Sequence, residues 1–453
     1  MLDKIRLMFK YRCLNNYPMN KHEKRHCIWL IFAGFVCVAA YLYLAFLTQG
    51  NNQPDLIEFL VSMIVCALVT FALCTYCFNQ GIQISVPLML MFALIFRLIA
   101  IWGFPVFEDD FYRYLWDGKI FVETGSPYGV APAEFFDVSS IDEKFEEVLS
   151  HINHPNIATV YGPFCQWVFG FAYLIAPGEI WPLQVIFAAA DMAIIIMLLQ
   201  LARPNWVLLY AWSPLMIKEF AFTAHPDVLG VALLLGALLL LRKNQWFPAA
   251  VLLALAAATK IFALILIPFM LLLHIRAWAV FIVTALLVAL PFGLLDAWRP
   301  EGLSAMAESW LFNAPLYYFF GQWVSISTLK LVLLGSFVLV WGLYLLRAIF
   351  TDVQIPRADC LYGLFFLCVP VLNAWYFVWL LPFAVIYPSA TAWVASVALF
   401  LSYGVGLNIA DSGLDIYQQP TALLIIQFSL IAVAFIWDVW RSQKGKGLAA
   451  LNR

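Results

Sequence analysis

Long apolar runs separated by short polar breaks dominate this chain. A helix needs about 20 apolar residues to cross a bilayer, and it must satisfy its own backbone hydrogen bonds there. Several middle runs are short and interrupted by proline, so the pattern predicts an all-α, polytopic integral membrane protein with about 12–14 transmembrane helices. The runs lie near residues 27–48, 57–78, 85–104, 180–201, 205–221, 227–242, 246–258, 261–274, 277–294, 324–346, 359–372, 374–388, 391–409 and 420–440.

One further apolar run, "VYGPFCQWVFGFAYLIAP" at 160–177, does not fit this series. If it crossed the membrane, every later loop would change side, and the basic residues of the cytoplasmic loops would face outward, against the positive-inside rule. Its aromatic residues Trp167, Phe169 and Tyr173 are typical of the membrane interface. We therefore predict an interfacial or re-entrant helix that belongs to an outer loop.

The pattern divides the chain into five segments. We predict a basic cytoplasmic segment at 1–26, transmembrane helices at 27–104, an outer catalytic loop with interfacial helices at 105–179, a transmembrane core at 180–440, and a cytoplasmic tail at 441–453. The first apolar run has no small-residue cleavage site after it, which favours an uncleaved helix over a signal peptide.

Composition agrees with this division. The 453 residues are 64% hydrophobic and 11% charged, with a mean hydropathy of +0.89, whereas soluble domains carry about a quarter charged residues. Lysine and arginine collect at both ends, so both termini are expected in the cytoplasm and the early loop outside. Between residues 105 and 159 there are eleven acidic residues and three basic ones.

The scattered cysteines and histidines give weak metal signals. Cys74 and Cys77 form a C-T-Y-C pair at the end of a span without a second pair, so we interpret them as small buried side chains. His151 and His154 have no third ligand at useful spacing, and a metal role is disfavoured for them too.

The acidic loop is the candidate for chemistry. It begins with Glu108, Asp109 and Asp110, and if 108–119 is helical, Asp109 shares one face with Arg113, Trp116 and Asp117. An Asp109–Arg113 surface pair is the simpler interpretation, but it leaves three adjacent acids at a membrane boundary unexplained. Carboxyl groups beside one another near a low dielectric have raised pKa values, which suits a proton acceptor.

Ionisable residues inside apolar runs mark functional sites by default. Arg97 and Asp191 are expected to pair with each other or with neighbours. Lys260 interrupts "LALAAATKIFALILIPF" and needs an anion, while the polar turn at 218–227 carries Lys218, Glu219, His225 and Asp227. For Lys260 and His225, a structural role and a phosphate-binding role are equally favoured.

These features suit a sugar carried on a polyprenyl phosphate. The lipid tail stays in the membrane, a carboxylate takes a proton from an acceptor hydroxyl, and cations stabilise the departing phosphate. No nucleotide-sugar site is needed, and the sequence contains no Gly-rich phosphate loop.

The stretch "EDDFYRYLWDGKIFVETGSPYGVAP" also resembles the first outer loop of GT-C glycosyltransferases. It is most similar to the bacterial polyprenyl-phosphate-mannose-dependent mannosyltransferases and, more distantly, to the glycosylphosphatidylinositol mannosyltransferases. Three later stretches resemble further motifs of those enzymes in the same order, namely "TVYGPFCQWVFG", "KEFAFTAHPD" and "NAWYFVWLLPF". Two helices ahead of the family core are considered an addition in this chain.

The resemblance implies an inverting transfer, with Asp109 as the preferred base and Asp110 as the second choice. The expected substrate-binding residues are Arg113, Trp116, Asp117, Tyr128, Tyr161, Lys218, Glu219, His225, Asp227, Lys260, Trp375 and Tyr376. The chain departs from the family pattern at Gly162, where a double proline is usual, and at Asn373–Ala374, where His-Pro is common.

The resemblance does not fix the substrates. Mannose is the first choice for the sugar, with glucose, galactose and aminoarabinose as alternatives, and the acceptor is a glycan, glycolipid or protein. Asp109 and Asp110 could bind Mg²⁺ or Mn²⁺, although a base needs no metal. The main alternative function is a multi-pass transporter or flippase of a lipid-linked sugar; no nucleic-acid partner is expected.

Overall fold

The computed structural model describes residues 21–138, 141–272, 274–298, 302, 310–351, 357–409 and 413–443. Helices make up 75% of the structure, and within the described ranges no strand is formed. The prediction of an all-α polytopic membrane protein is confirmed. Most of the two terminal segments predicted to be cytoplasmic, before residue 21 and after residue 443, lies outside the described residues.

Twenty α-helices carry the chain through the described ranges. They are α1 (Lys21–Leu47), α2 (Leu56–Asn79), α3 (Val86–Trp102), α4 (Asp110–Thr124), α5 (Glu143–Ser150), α6 (Pro163–Ile175), α7 (Trp181–Leu198), α8 (Pro204–Ala211), α9 (Pro214–Ile217), α10 (Asp227–Leu241), α11 (Trp246–Thr259), α12 (Ile267–Leu271), α13 (Ile275–Ala289), α14 (Leu294–Trp298), α15 (Pro315–Phe320), α16 (Ile326–Phe350), α17 (Ala358–Cys368), α18 (Leu381–Ile386), α19 (Ala390–Ala398) and α20 (Thr421–Gln443).

Six of the helices in the described residues are long and apolar enough to cross a membrane. A seventh span results if Pro214–Phe222 and Asp227–Leu241, which meet at a bend of 114°, are counted together. The rest of the predicted spans are shorter or broken. The run at 205–221 divides before Pro214, and the runs at 261–274 and 374–388 each start as a 3₁₀ turn and continue as a short helix with proline in its first turn. Proline lacks the N–H that a continuous helix needs, which accounts for these breaks.

The run at 160–177 forms helix α6, which has 13 residues. At 1.5 Å per residue it is about 20 Å long, less than the hydrocarbon thickness of about 30 Å. It packs closely on α4, since a Cβ atom at Gly118 would lie 2.6 Å from the carbonyl oxygen of Phe169. Its length agrees with an interfacial helix; its depth in the membrane stays a prediction.

Arg97 and Asp191 pair inside the helical core, as expected. Arg97 Nη2 lies 2.5 Å from Asp191 Oδ2, and both side chains are buried. Arg97 Nη1 donates to the carbonyl oxygens of Ala93 and Ala211, and Tyr210 donates its hydroxyl to the second oxygen of Asp191 at 2.7 Å. This network joins α3, α7 and α8 and uses most of the polar atoms of the pair, so its role is structural.

The predicted outer loop (105–179) packs tightly against the core at Gly162. A Cβ atom at Gly162 would lie 2.2 Å from the carbonyl oxygen of Ala258, close to the C-terminal end of α11. Only glycine fits this approach, which explains why the double proline expected from the resemblance is absent here. The contact brings the N-terminus of α6 against the end of α11, which Lys260 follows directly.

Candidate active site

The three consecutive acids lie where the outer loop enters helix α4. The helix begins at Asp110, and Asp109 occupies the N-cap position without making a side-chain capping bond. Asn153 donates its amide to both aspartates, at 2.6 Å from Asp109 Oδ1 and 3.2 Å from Asp110 Oδ1. Tyr161 donates its hydroxyl to the other oxygen of Asp110 at 3.2 Å. The aspartates are therefore held side by side by the amide of Asn153.

Burial makes these acids weaker than ordinary carboxylic acids. It raises the pKa of Asp109 to about 6, and the neighbouring Asp110 carboxylate raises it further while Asn153 opposes the shift. Burial also raises the pKa of Asp110, against the effects of Asn153 and Tyr161. Burial also raises the pKa of Glu108, and Lys218 opposes this shift only in part. A carboxylate with a pKa near 6 is still ionised at neutral pH and is a better proton acceptor than a normal aspartate.

The acids open into a large cavity of about 1280 Å³. It is bounded by the outer loop, the polar turn before α10, the end of α11 and the segment before α18. The cavity brings together eight of the residues predicted from the sequence, namely Asp109, Asp110, Arg113, Tyr161, Asp227, Lys260, Trp375 and Tyr376.

Lys260 lies in the part of the cavity wall that α10 and α11 form. Its ammonium lies 2.8 and 3.0 Å from the two oxygens of Asp227 and 3.8 Å from the ring centre of Tyr376. Trp379 donates its indole N–H to Asp227 at 2.8 Å. The anion that Lys260 needed is therefore Asp227. The amine has three N–H donors, so one remains for a ligand in the cavity.

Lys218, Glu219 and His225 do not line the cavity but lie behind it, fully buried. The chain forms one π-helical turn at Lys218–Phe222 before it bends, and Lys218 lies 3.4 Å from Glu219 and 3.9 Å from Glu108. His225 accepts or donates a hydrogen bond with Tyr114 at 3.0 Å and stacks on Trp375, with 3.9 Å between ring centres. A direct contact of these three residues with substrate stays a prediction; in the structure they support Glu108 and Trp375.

Only part of the helix face predicted from the sequence lines the cavity; the other side chains of that face are buried in the protein. Arg113 lines the cavity, but its Nε lies 3.7 Å from Asp117 and its Nη2 donates to the carbonyl oxygen of Ile157, so the simple Asp109–Arg113 pair is replaced by an Arg113–Asp117 pair. Asp117 accepts hydrogen bonds from Thr159 and from Gln166, the latter at 3.0 Å.

Two other predicted binding residues also lie outside the cavity. Trp116 packs edge-on against Phe135 with 5.1 Å between ring centres. Tyr128 donates its hydroxyl to the carbonyl oxygen of Tyr161 at 2.8 Å. With Asp117, these residues fix the shape of the loop that carries Asp109; contact with substrate is a prediction that the geometry leaves untested.

The residues of the cavity wall that sequence reasoning did not assign include Asn153, Trp310, Tyr403 and Tyr417. Asn153 has a signal in retrospect, because it lies between His151 and His154 in a polar stretch of the same loop. The other three come from distant segments and carry no local pattern. Within the described ranges no group of three or more His, Cys, Asp or Glu side chains is placed to hold a metal ion.

One comparison with known proteins gives a match. The family model described as "Alpha-(1->6)-mannopyranosyltransferase, N-terminal domain" matches residues 27–276, more than half of the chain. The match includes the outer loop, Lys260 and the first three helices, so the two N-terminal helices considered an addition lie within the family's own domain. No curated protein and no solved structure matches the chain.

Proposed function

This chain belongs to the alpha-(1->6)-mannopyranosyltransferase family, and from that premise we propose that it moves mannose from a polyprenyl-phosphate-mannose donor to a hydroxyl group of a glycan or glycolipid. The observation that carries this proposal is the cavity in which Asp109 and Asp110 share one space with Lys260. A base for the acceptor and a cation for the leaving phosphate are the two charges that the transfer requires.

The proposed reaction is a single displacement. Asp109 accepts the proton of the acceptor hydroxyl while the oxygen of that hydroxyl attacks the anomeric carbon of mannose. The bond from that carbon to the phosphate oxygen breaks on the opposite face, so the configuration inverts and polyprenyl phosphate leaves. The remaining N–H of Lys260 stabilises the charge that develops on the phosphate, and Asp227 keeps the amine in place.

The cavity also has room for the first part of a lipid tail. Ile261, Phe262, Leu334 and Phe365 form an apolar part of its wall. Isoprene units bind such surfaces through the hydrophobic effect. We propose that the cavity lies in the outer half of a bacterial inner membrane. Both termini are then in the cytoplasm, because the basic residues concentrate at the two ends of the chain.

The test is transfer by the purified full-length protein in liposomes. We expect labelled mannose to pass from polyprenyl-phosphate-mannose to an alkyl α-mannoside, and no transfer from guanosine-diphosphate-mannose. Transfer from the nucleotide sugar would contradict the proposed donor. Movement of the intact mannosyl lipid across the bilayer, without transfer, would instead support a flippase.

The rate of mannosyl transfer should fall at acid pH, with a midpoint near the pKa of Asp109. Because burial raises the pKa of Asp109 to about 6, the ionised base is lost as the pH falls through about 6, whereas a normal aspartate would keep the rate down to about pH 4. Initial rates at saturating donor between pH 4.5 and 8 measure this decrease of the rate on the acid side. A rate that stays constant down to pH 4.5 would exclude Asp109 as the base.

A further inference from the structure

Three aromatic side chains from separate loop segments meet at the wall of the cavity. His154 comes from the outer loop, Trp310 from the segment before α15, and Tyr417 from the segment before α20. The ring centres are 4.6 Å apart for His154 and Trp310, 5.6 Å for His154 and Tyr417, and 6.4 Å for Trp310 and Tyr417. We call these three residues the aromatic cluster. Segments so distant in sequence are brought together only by the fold.

The backbone at His154 supports a specific placement of this ring. Its φ angle is 47°, in the left-handed region that side chains other than glycine rarely adopt. A hydrogen bond from the amide of Ile157 to the carbonyl oxygen of His154, 3.0 Å long, closes the turn. Such strain is kept where the surrounding structure needs one orientation of a side chain.

The aromatic cluster lies within electrostatic reach of the catalytic acids. Burial raises the pKa of the Tyr417 hydroxyl, and the carboxylates of Asp109, Asp110 and Glu108 raise it further. Burial and, to a smaller extent, Arg113 lower the pKa of His154, while Asp110 acts in the opposite direction, so the ring is neutral at pH 7. Asn153, the residue before His154, donates its amide to Asp109 at 2.6 Å, and Asp109 and the three rings line the same cavity. A ligand bound to the cluster would therefore have its reactive group close to Asp109.

The cluster differs from the wall assigned to the donor. The donor wall offers the Lys260 ammonium and the apolar residues beside it. The cluster has no cation among its three rings. Arg113 and Asp110 act on His154 with opposite signs, and three carboxyl groups act on Tyr417, so the net charge around the cluster disfavours a phosphate. Flat rings with negative π-faces instead suit the C–H face of a neutral sugar, and about 44% of Tyr417 is exposed to receive one.

We propose that His154, Trp310 and Tyr417 form the acceptor subsite, which binds a neutral hexose ring of the acceptor by stacking and presents its primary hydroxyl to Asp109. This assignment rests on the proposed function. It makes the aromatic cluster the determinant of acceptor specificity, and it predicts that sugars with an anionic group on this ring bind poorly.

Two variants of the full-length protein, Trp310→Ala and Tyr417→Ala, test the subsite, with methyl α-mannoside as the probe. Because stacking on an aromatic ring contributes to the binding energy in nucleic-acid sites, we expect the KM for methyl α-mannoside to rise about 5- to 150-fold in each variant. The KM for polyprenyl-phosphate-mannose should change less than about twofold, since the donor wall is untouched. Trp310→Phe should recover most of the acceptor affinity because it restores a ring.

Trp323→Ala is the matched control, because Trp323 is exposed and does not line the cavity. Binding of methyl α-mannoside, followed by saturation-transfer NMR, is measured in parallel and needs no catalysis. Weaker binding in both cluster variants, but no transfer by the wild-type protein, would support the sugar subsite and contradict the proposed function. Unchanged binding in both variants, or an equal rise in the KM of the donor, would overturn the acceptor subsite.

Discussion

Asp109→Asn is expected to lower mannosyl transfer by about 10²–10⁴-fold, the usual contribution of a general base. The amide has nearly the shape of the carboxylate but takes no proton, and Asn153 can still donate its hydrogen bond to Asp110. Initial rates with polyprenyl-phosphate-mannose and an alkyl α-mannoside measure the loss. The KM of the donor should change little, because Asp109 acts on the acceptor.

Asp137→Asn is the matched control for this variant, since Asp137 is an exposed acid of the same loop and does not line the cavity. It should retain wild-type activity. Asp110→Asn distinguishes the two candidate bases: with Asp109 as the base, Asp110→Asn should lose less activity than Asp109→Asn. A folded Asp109→Asn protein that keeps the wild-type rate, with folding checked by gel filtration in detergent, would remove Asp109 from the reaction.

Arg97→Met should destabilise the protein by about 3–5 kcal/mol, because it leaves Asp191 as a buried charge without its partner. Only the Tyr210 hydroxyl would remain bonded to that carboxylate. Adding Asp191→Asn removes the uncompensated charge and should recover part of the loss. Thermal midpoints in mild detergent, measured by the fraction that stays monodisperse after heating, compare the three proteins.

A surface ion pair provides the contrast. Lys144 lies 2.6 Å from Glu179, but both side chains are about half exposed, and exposed pairs contribute about 0–1 kcal/mol. Lys144→Met should therefore melt close to wild type. If Arg97→Met melts together with Lys144→Met, the buried pair does not hold α3 and α7 together in the way that the geometry indicates.

The acidic loop shows how far local sequence leads. Three adjacent acids before a run of aromatic residues indicate a candidate reactive site, because like charges beside an apolar region are costly. The helix predicted at 108–119 is present, although it begins at Asp110. The sequence does not show which side chains of that helix line the cavity, because the 3.6-residue period gives the face but not what packs against it. Asp117 shares the face with Asp109 and Arg113 yet bonds to Gln166 inside the protein.

The intramembrane ions show the same limit. The sequence indicates that Lys260 needs an anion, and several acids could supply it. Only the packing of α10 against α11 selects Asp227. His225, only two residues from Asp227, points to Tyr114 and Trp375 instead.

The sequence by itself determined that the chain is an all-α membrane protein, where its polar loop lies and which acids are candidates for chemistry, because hydropathy and charge act over neighbouring residues. The tertiary structure alone decided that Asp109, Lys260, Trp310 and Tyr417 face one cavity. These residues are separated by up to about 300 positions. Their proximity depends on how helices pack and where prolines break them, and no local pattern records that packing.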